Sequence, residues 1–165
     1  STAPTTSASS KRRSSADRPA VMEIRLGRPD DFEDLTGVWF RAVSSTHGFL
    51  GEAQIEAYRV RLPVEFLPHV KELWVAEEDG RSIGFIGMDG SEIDMLFVDP
   101  DWHGRGVGTR LLEMVSEDRP RLTVSCNEQN PQGLAFYEAR GFRPVGRSGT
   151  DTDGNAFPLI HFERD

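Results

Sequence analysis

Val98-Asp99-Pro100-Asp101-Trp102-His103-Gly104-Arg105-Gly106-Val107-Gly108-Thr109-Arg110-Leu111-Leu112 runs from the end of a strand, through a turn, into the start of a helix. Residues 93–98 are apolar except for Asp94, as a strand in a covered sheet requires. Downstream, Val107, Leu111, Leu112 and Val115 recur at helical spacing. A helix N-terminus leaves backbone N–H groups unpaired and carries about half a positive charge. Gly104, Gly106 and Gly108 let a bulky anion approach those groups closely, so the stretch reads as a pyrophosphate cradle. Two better-known phosphate loops do not fit. A dinucleotide fingerprint starting at Gly104 and Gly106 needs glycine where Thr109 stands, and a triphosphate loop needs Gly-Lys-Ser/Thr, which the sequence lacks.

Working outward, Met22–Leu26 alternates apolar and charged residues, the pattern of a half-buried strand. Pro29, Asp30 and Asp31 open a helix that carries Phe32, Leu35, Val38, Trp39 and Ala42 on one face and ends before Gly48. A second helix is expected over residues 52–66, kinked or ended by Pro63. Residues 73–78 and 82–88 read as antiparallel strands joined at Asp79-Gly80, and 93–98 as their neighbour. After the glycine turn come a helix over 107–115, a strand over 122–126 and a helix over 131–140, capped by Asn130 and stopped by Gly141. Two strands, 143–150 and 157–162, joined through Asp153-Gly154, close the chain. The order is β-α-α-β-β-β-α-β-α-β-β, an α/β fold with a mixed, mostly antiparallel sheet and helices on both faces.

Residues 1–21 contain Ser, Thr, Ala, Pro and Arg with almost nothing to bury, and read as a disordered basic tail before a single domain over 22–165. That tail holds Lys11, Arg12, Arg13 and Arg18 against Asp17 alone. Of the 19 basic and 27 acidic residues, 15 and 26 therefore fall from Met22 onward. The acidic balance argues against nucleic-acid binding and favours a cationic substrate such as an amine. No apolar run is long enough to cross a bilayer. The single cysteine, Cys126, excludes an internal disulfide framework and points to a reducing, cytoplasmic setting. Cys126 itself reads as a core residue rather than a nucleophile. His69 and His161 lack metal-ligand spacing, so no metal is expected. The chain is expected as a monomer or homodimer.

Further motifs give the cradle a context. The turn fits the pattern Arg/Gln-x-x-Gly-x-Gly/Ala after a strand ending in Val-Asp-Pro. Downstream stand Asn127-Glu128-Gln129-Asn130 and Ala135-Phe136-Tyr137-Glu138-Ala139-Arg140-Gly141-Phe142. Together these resemble the GNAT N-acetyltransferases over residues 22–162, and Thr46-His47-Gly48-Phe49-Leu50 with Leu73-Trp74-Val75-Ala76 is similar to the family's small bacterial YjaB-type branch.

The resemblance implies transfer of acetyl from acetyl-coenzyme A to a primary amine of a small molecule or peptide, by direct attack in a ternary complex. Backbone amides of His103, Gly104, Arg105, Gly106, Val107, Gly108 and Thr109 would bind the pyrophosphate. His103 departs from the usual Arg or Gln, which leaves that role to the backbone. Phe97 and Val98 would pair with the pantetheine arm, with the N–H of Val98 or its neighbour polarising the thioester carbonyl, and Asn127 would bind the pantetheine amide.

Tyr137 matches the tyrosine that reprotonates the coenzyme sulfur. Asp94 is the first candidate for the base, since its spacing puts it on one strand face with Glu92. His47, in the connection expected to overhang the substrate at the surface, is the other candidate. A coenzyme-binding sensor without turnover is the rival reading.

Overall fold

The computed structural model describes residues 22–165, so the expected tail over 1–21 lies outside the described residues. The elements are β1 (Met22–Leu26), a 3-10 turn (Pro29–Asp31), α1 (Phe32–Thr46), α2 (Glu52–Arg61), β2 (Glu72–Glu78), β3 (Arg81–Asp89) and β4 (Glu92–Val98). A 3-10 turn (Pro100–Trp102), α3 (Val107–Ser116), β5 (Leu122–Asn127), α4 (Pro131–Ala139), β6 (Arg143–Ser148) and β7 (Leu159–Arg164) complete the chain. The expected order is the observed one. Pro63 neither stops the second helix nor passes unnoticed: lacking an N–H, it sits in a π-helical turn, Leu62–Phe66, in which Leu67 N–H reaches back to the Leu62 carbonyl. The last strand starts after Pro158, which has no N–H for a ladder, and the expected Asp153-Gly154 turn lies inside a longer loop.

The strands form one sheet in the order β1-β2-β3-β4-β5-β7-β6, antiparallel throughout except where β4 meets β5. The β2–β3 hairpin turns at Asp79 and Gly80, both with positive φ, 53° and 79°, as a tight two-residue turn requires. One face of the sheet packs α3 and α4 through Leu111, Leu112, Val115 and Tyr137 against Ile83, Ile86, Met88, Val124 and Phe162. The other face packs α1 and α2 through Leu35, Val38, Val43 and Ile55 against Leu73, Val75 and Phe85. Each fully buried Leu, Ile or Phe contributes roughly 1.5–3 kcal/mol.

One irregularity positions the site. Met88 pairs with Ile93 but Gly87 pairs with Met95, leaving Asp94 as an extra residue in β4. The bulge changes the strand's phase, so Ile93 packs with the α3 side and Met95 with the α1 side. Only Glu92 and Ile93 pair with β5, opposite Thr123 and Val124, and beyond them the parallel strands part.

The start of α1 is tied to β1 by a bidentate pair. Arg25 donates to both Asp31 carboxylate oxygens at 2.8 and 2.9 Å, and Arg28 N–H donates to Asp31 Oδ2 at 2.8 Å. The Arg25 bonds, foremost, hold the buried Asp31 carboxyl below the usual carboxylate range. Its stabilisation is therefore complete above about pH 4 and is lost as pH falls through the depressed value. Asp31→Asn is expected to cost about 1–3 kcal/mol in denaturant unfolding at pH 7, a gap that narrows on acidification.

Candidate active site

The cradle is built as its residues dictate. Gly106 is the N-cap of α3 with φ 78°, and Gly104 has φ 77°, conformations that side chains with a Cβ rarely adopt. An added Cβ at either would meet no protein atom within 4 Å, so both face open space. From Gly104 to Thr109, no backbone amide finds an acceptor among the described residues, because Arg110 N–H is the first to return, to the Gly106 carbonyl at 2.9 Å. His103 differs from expectation: its N–H is already bonded to the Pro100 carbonyl at 3.2 Å, which shortens the free run by one residue.

The loop before the cradle is anchored by Asp99, which is fully buried. Its carboxylate caps the 3-10 turn by accepting from Asp101 N–H at 3.1 Å and takes Arg41 of α1 at 2.8 Å. Trp102 donates to Glu78 at 2.9 Å and lies under the Arg81 guanidinium.

A cavity of about 450 Å³ opens between the parted ends of β4 and β5 and runs to the N-terminus of α3. Its walls bring together His47, Asp94, Phe97, Val98, His103, Gly104, Gly106, Val107, Gly108, Thr109, Asn127 and Tyr137, all named from the sequence. Glu92 and Arg105 do not line it. Glu92 is exposed at the strand start, and Asp94's place in the bulge breaks the simple alternation that paired the two on one face. Arg105 instead has its guanidinium 5.8 Å from the Trp102 ring. Asp99 N–H bonds the Ile83 carbonyl at 2.8 Å, and the antiparallel ladder alternates from there, which aims the N–H groups of Val98 and Leu96 away from β3 and into the gap.

Tyr137, 8% exposed, is held by edge-on rings of Phe136 and Phe142 at 5.2 and 5.4 Å. Its hydroxyl has no hydrogen-bond partner, yet among the described residues no fully buried side-chain polar atom is unsatisfied, so the O–H reaches the cavity. Burial, with the Cys126 sulfur adding to it, raises its pKa well above the ordinary phenol value, and it stays protonated through the neutral range. Asp94 has its carboxyl held above the usual range, first by partial burial and then by the charges of Glu92 and Asp89.

His47 is not the exposed loop residue expected. It is 8% exposed, stacked 5.2 Å from Phe49, with Nδ1 2.7 Å from Thr46 Oγ1. Burial pulls its pKa down to about 4, so the imidazole is neutral at pH 7. The Cys126 thiol is pushed up to about 11 by burial and is protonated, as a core residue should be.

Asn130 Oδ1 caps α4 by accepting from Gly133 N–H at 3.1 Å, while Asn127, which also lines the cavity, has a side-chain amide with no hydrogen-bond partner among the described residues. Sequence reasoning missed Arg140. Its guanidinium donates to Thr109 Oγ1 at 2.9 Å and to the Phe136 carbonyl at 2.9 Å, and stacks 3.8 Å above the Phe136 ring. This adds a cation to the positive end of α3. The only trace in the sequence was its position four residues after Phe136, which places both on one helix face. Among the described residues no group of three or more His, Cys, Asp or Glu could hold a metal ion, and no helix is long and apolar enough to span a membrane.

The chain is similar to known proteins along most of its length. The family model described as "Acetyltransferase (GNAT) domain" matches residues 52–159. The peptidyl-lysine N-acetyltransferase YjaB of Salmonella typhimurium is 39% identical over 86% of this chain and 97% of its own length. Its Escherichia coli namesake is 40% identical over 86% and 95%. The solution structure of apo YjaB from Escherichia coli superposes with a TM-score of 0.80 at 38% identity, covering 87% of this chain and 97% of that one. With the family model spanning most of the described residues and its glycine turn and tyrosine meeting in one cavity, the chain belongs to the GNAT family of acetyltransferases, whose acetyl donor is acetyl-coenzyme A.

Proposed function

We propose that this enzyme acetylates the ε-amine of lysine in a peptide or protein, by direct attack of the amine on the donor within a ternary complex. The observation that carries the reading is a single cavity that joins the free amides of residues 104–109, the parted edge of β4 and the unpaired hydroxyl of Tyr137. The names of the two 39–40% identical relatives support lysine as the acceptor. The acidic balance of the chain from Met22 onward supports it too, by drawing in an ammonium.

Acetyl-coenzyme A, when bound, supplies an activated thioester. For its pyrophosphate the chain offers the amides of residues 104–109, the positive end of α3 and Arg140. The free edge of Phe97 and Val98 offers hydrogen bonds to an extended arm, as an added strand would receive, and Asn127 offers an amide at the cavity wall. The Val98 N–H is a fixed dipole for a carbonyl oxygen that gains negative charge, an interaction worth a few kcal/mol in a site shielded from water. Tyr137, neutral at working pH, donates the proton that a departing thiolate needs. Asp94 accepts a proton from the amine side. Cys126, buried and protonated, offers no nucleophile, which supports direct transfer over a covalent relay. A lone free cysteine also suits a reducing cytoplasm.

The test is coenzyme A thiol release with a panel of lysine peptides, peptides with a free N-terminus and blocked lysine, polyamines and aminoglycosides. Lysine peptides are expected to turn over at least tenfold faster than the other classes. Faster turnover of any other class would replace the acceptor, and coenzyme binding with no turnover across the panel would favour the sensor reading.

A further inference from the structure

A histidine outside the cavity lining connects the cavity to the far strands of the sheet. His161 of β7 lies opposite Ser125 of β5 and Gly146 of β6, and the three share one face. Its Nδ1 is 2.7 Å from Ser125 Oγ and its Nε2 is 2.6 Å from Ser148 Oγ. Ser125 lines the cavity beside its neighbours Val124 and Cys126, which also belong to the core on the α3 side of the sheet. A neutral imidazole donates through one nitrogen and accepts through the other, so a hydroxyl on each nitrogen forms a continuous chain of proton donors and acceptors. Both serines are hydroxyls of free rotation, able to reverse the chain's polarity.

We propose that Ser125, His161 and Ser148 form a proton relay that carries the acceptor amine's proton out of the cavity, an inference that rests on the acetyl-transfer reading above. A lysine ammonium has an ordinary pKa near 10.4, so it must lose a proton before its nitrogen can attack. In the relay, the N–H bond breaks as Ser125 Oγ takes that proton, and the Ser125 hydroxyl gives its own to His161 Nδ1. Nε2–H then passes a proton to Ser148 Oγ, whose hydroxyl releases one to water. One proton enters and one leaves, and the pass leaves the imidazole as its Nδ1–H tautomer; between turnovers Nε2 takes a proton from water through Ser148 and Nδ1–H gives one up through the exposed Ser125, which restores the start.

The charged groups around the imidazole are paired elsewhere. Glu163, two residues along β7, is held by Arg121 and Arg143 at 2.6 and 3.3 Å, and Arg147 of β6 is held by Glu128 at 2.9 Å. Asp94 of β4 also lines the cavity and takes the second proton, the one that the nitrogen loses once it has attacked.

His161→Gln keeps hydrogen bonding on this face and cannot carry a proton. It is expected to lower kcat for a lysine peptide at least tenfold, with KM, coenzyme A affinity by calorimetry and Tm little changed. Ser125→Ala should lower kcat likewise, and added imidazole should restore part of the activity of His161→Ala. A kcat within twofold of wild type overturns the relay. So does a loss of kcat matched by loss of Tm or coenzyme affinity without imidazole rescue, which is a structural role. If wild type acetylates another amine and not lysine, the acceptor reading falls and the same criteria decide the relay on that amine. If wild type acetylates none, both fall.

Discussion

Tyr137→Phe is expected to lower kcat by about 10²–10⁴-fold, the usual value of a positioned general acid, while coenzyme A affinity and Tm stay near wild type. The separation follows from how the ring is held. Phe136 and Phe142 grip it edge-on and its hydroxyl bonds no protein group, so a phenylalanine keeps the packing and deletes only the O–H. Because the phenol pKa is raised by burial, Tyr137 stays protonated across the assay range, and an alkaline limb in the wild-type rate near neutrality would belong to another group. Steady-state acetyl transfer, calorimetric titration with coenzyme A and a thermal melt together check this. A kcat within threefold of wild type would remove Tyr137 from the chemistry.

Gly106→Glu is expected to abolish measurable coenzyme A binding. Two effects act there. A side chain at φ 78° carries strain of roughly 1–2 kcal/mol, which lowers Tm by about 2–4 °C per kcal/mol in a domain of this size. The larger effect is placement: nothing in the protein lies within 4 Å of the added Cβ, so the carboxylate projects into the space beside the free amides, where it occupies the anion's place and repels it. Gly106→Ala separates the two, since it carries the strain without the charge and should bind coenzyme A far more tightly than the glutamate variant. Calorimetry on both variants decides the matter. Retained affinity in Gly106→Glu would move the pyrophosphate away from this turn.

Much of the site was legible because it is local. A strand, three glycines and a helix start occupy adjacent positions in the chain, and the free amides at residues 106–109 follow from helix geometry whatever packs around them. Asn130 capping α4 and the positive φ values at Asp79 and Gly80 are equally short-range. Hydrophobic periodicity placed every element in order for the same reason, since each helix or strand must present its own apolar face.

What failed or was missed depends on contacts distant in the chain. His47 looked exposed because its neighbours are polar and glycine-rich, but Phe49 covers it, and that ring in turn meets Phe157. Glu92 and Asp94 were expected on one strand face, with Asp94 the first candidate, but the pairing of β3 with β4 makes Asp94 a bulge between Ile93 and Met95 and breaks that alternation. Arg140 reaches Thr109 across 31 residues, and His161 reaches Ser125 across 36.

The sequence by itself thus determined the element order, the glycine turn that opens α3 and the tyrosine proposed as the acid, each written within a few consecutive residues. Only the tertiary structure decided which carboxylate enters the cavity, which histidine is buried and which serines flank His161. Burial and proton exchange are set by neighbours in space, and strand pairing, not chain position, chooses those neighbours.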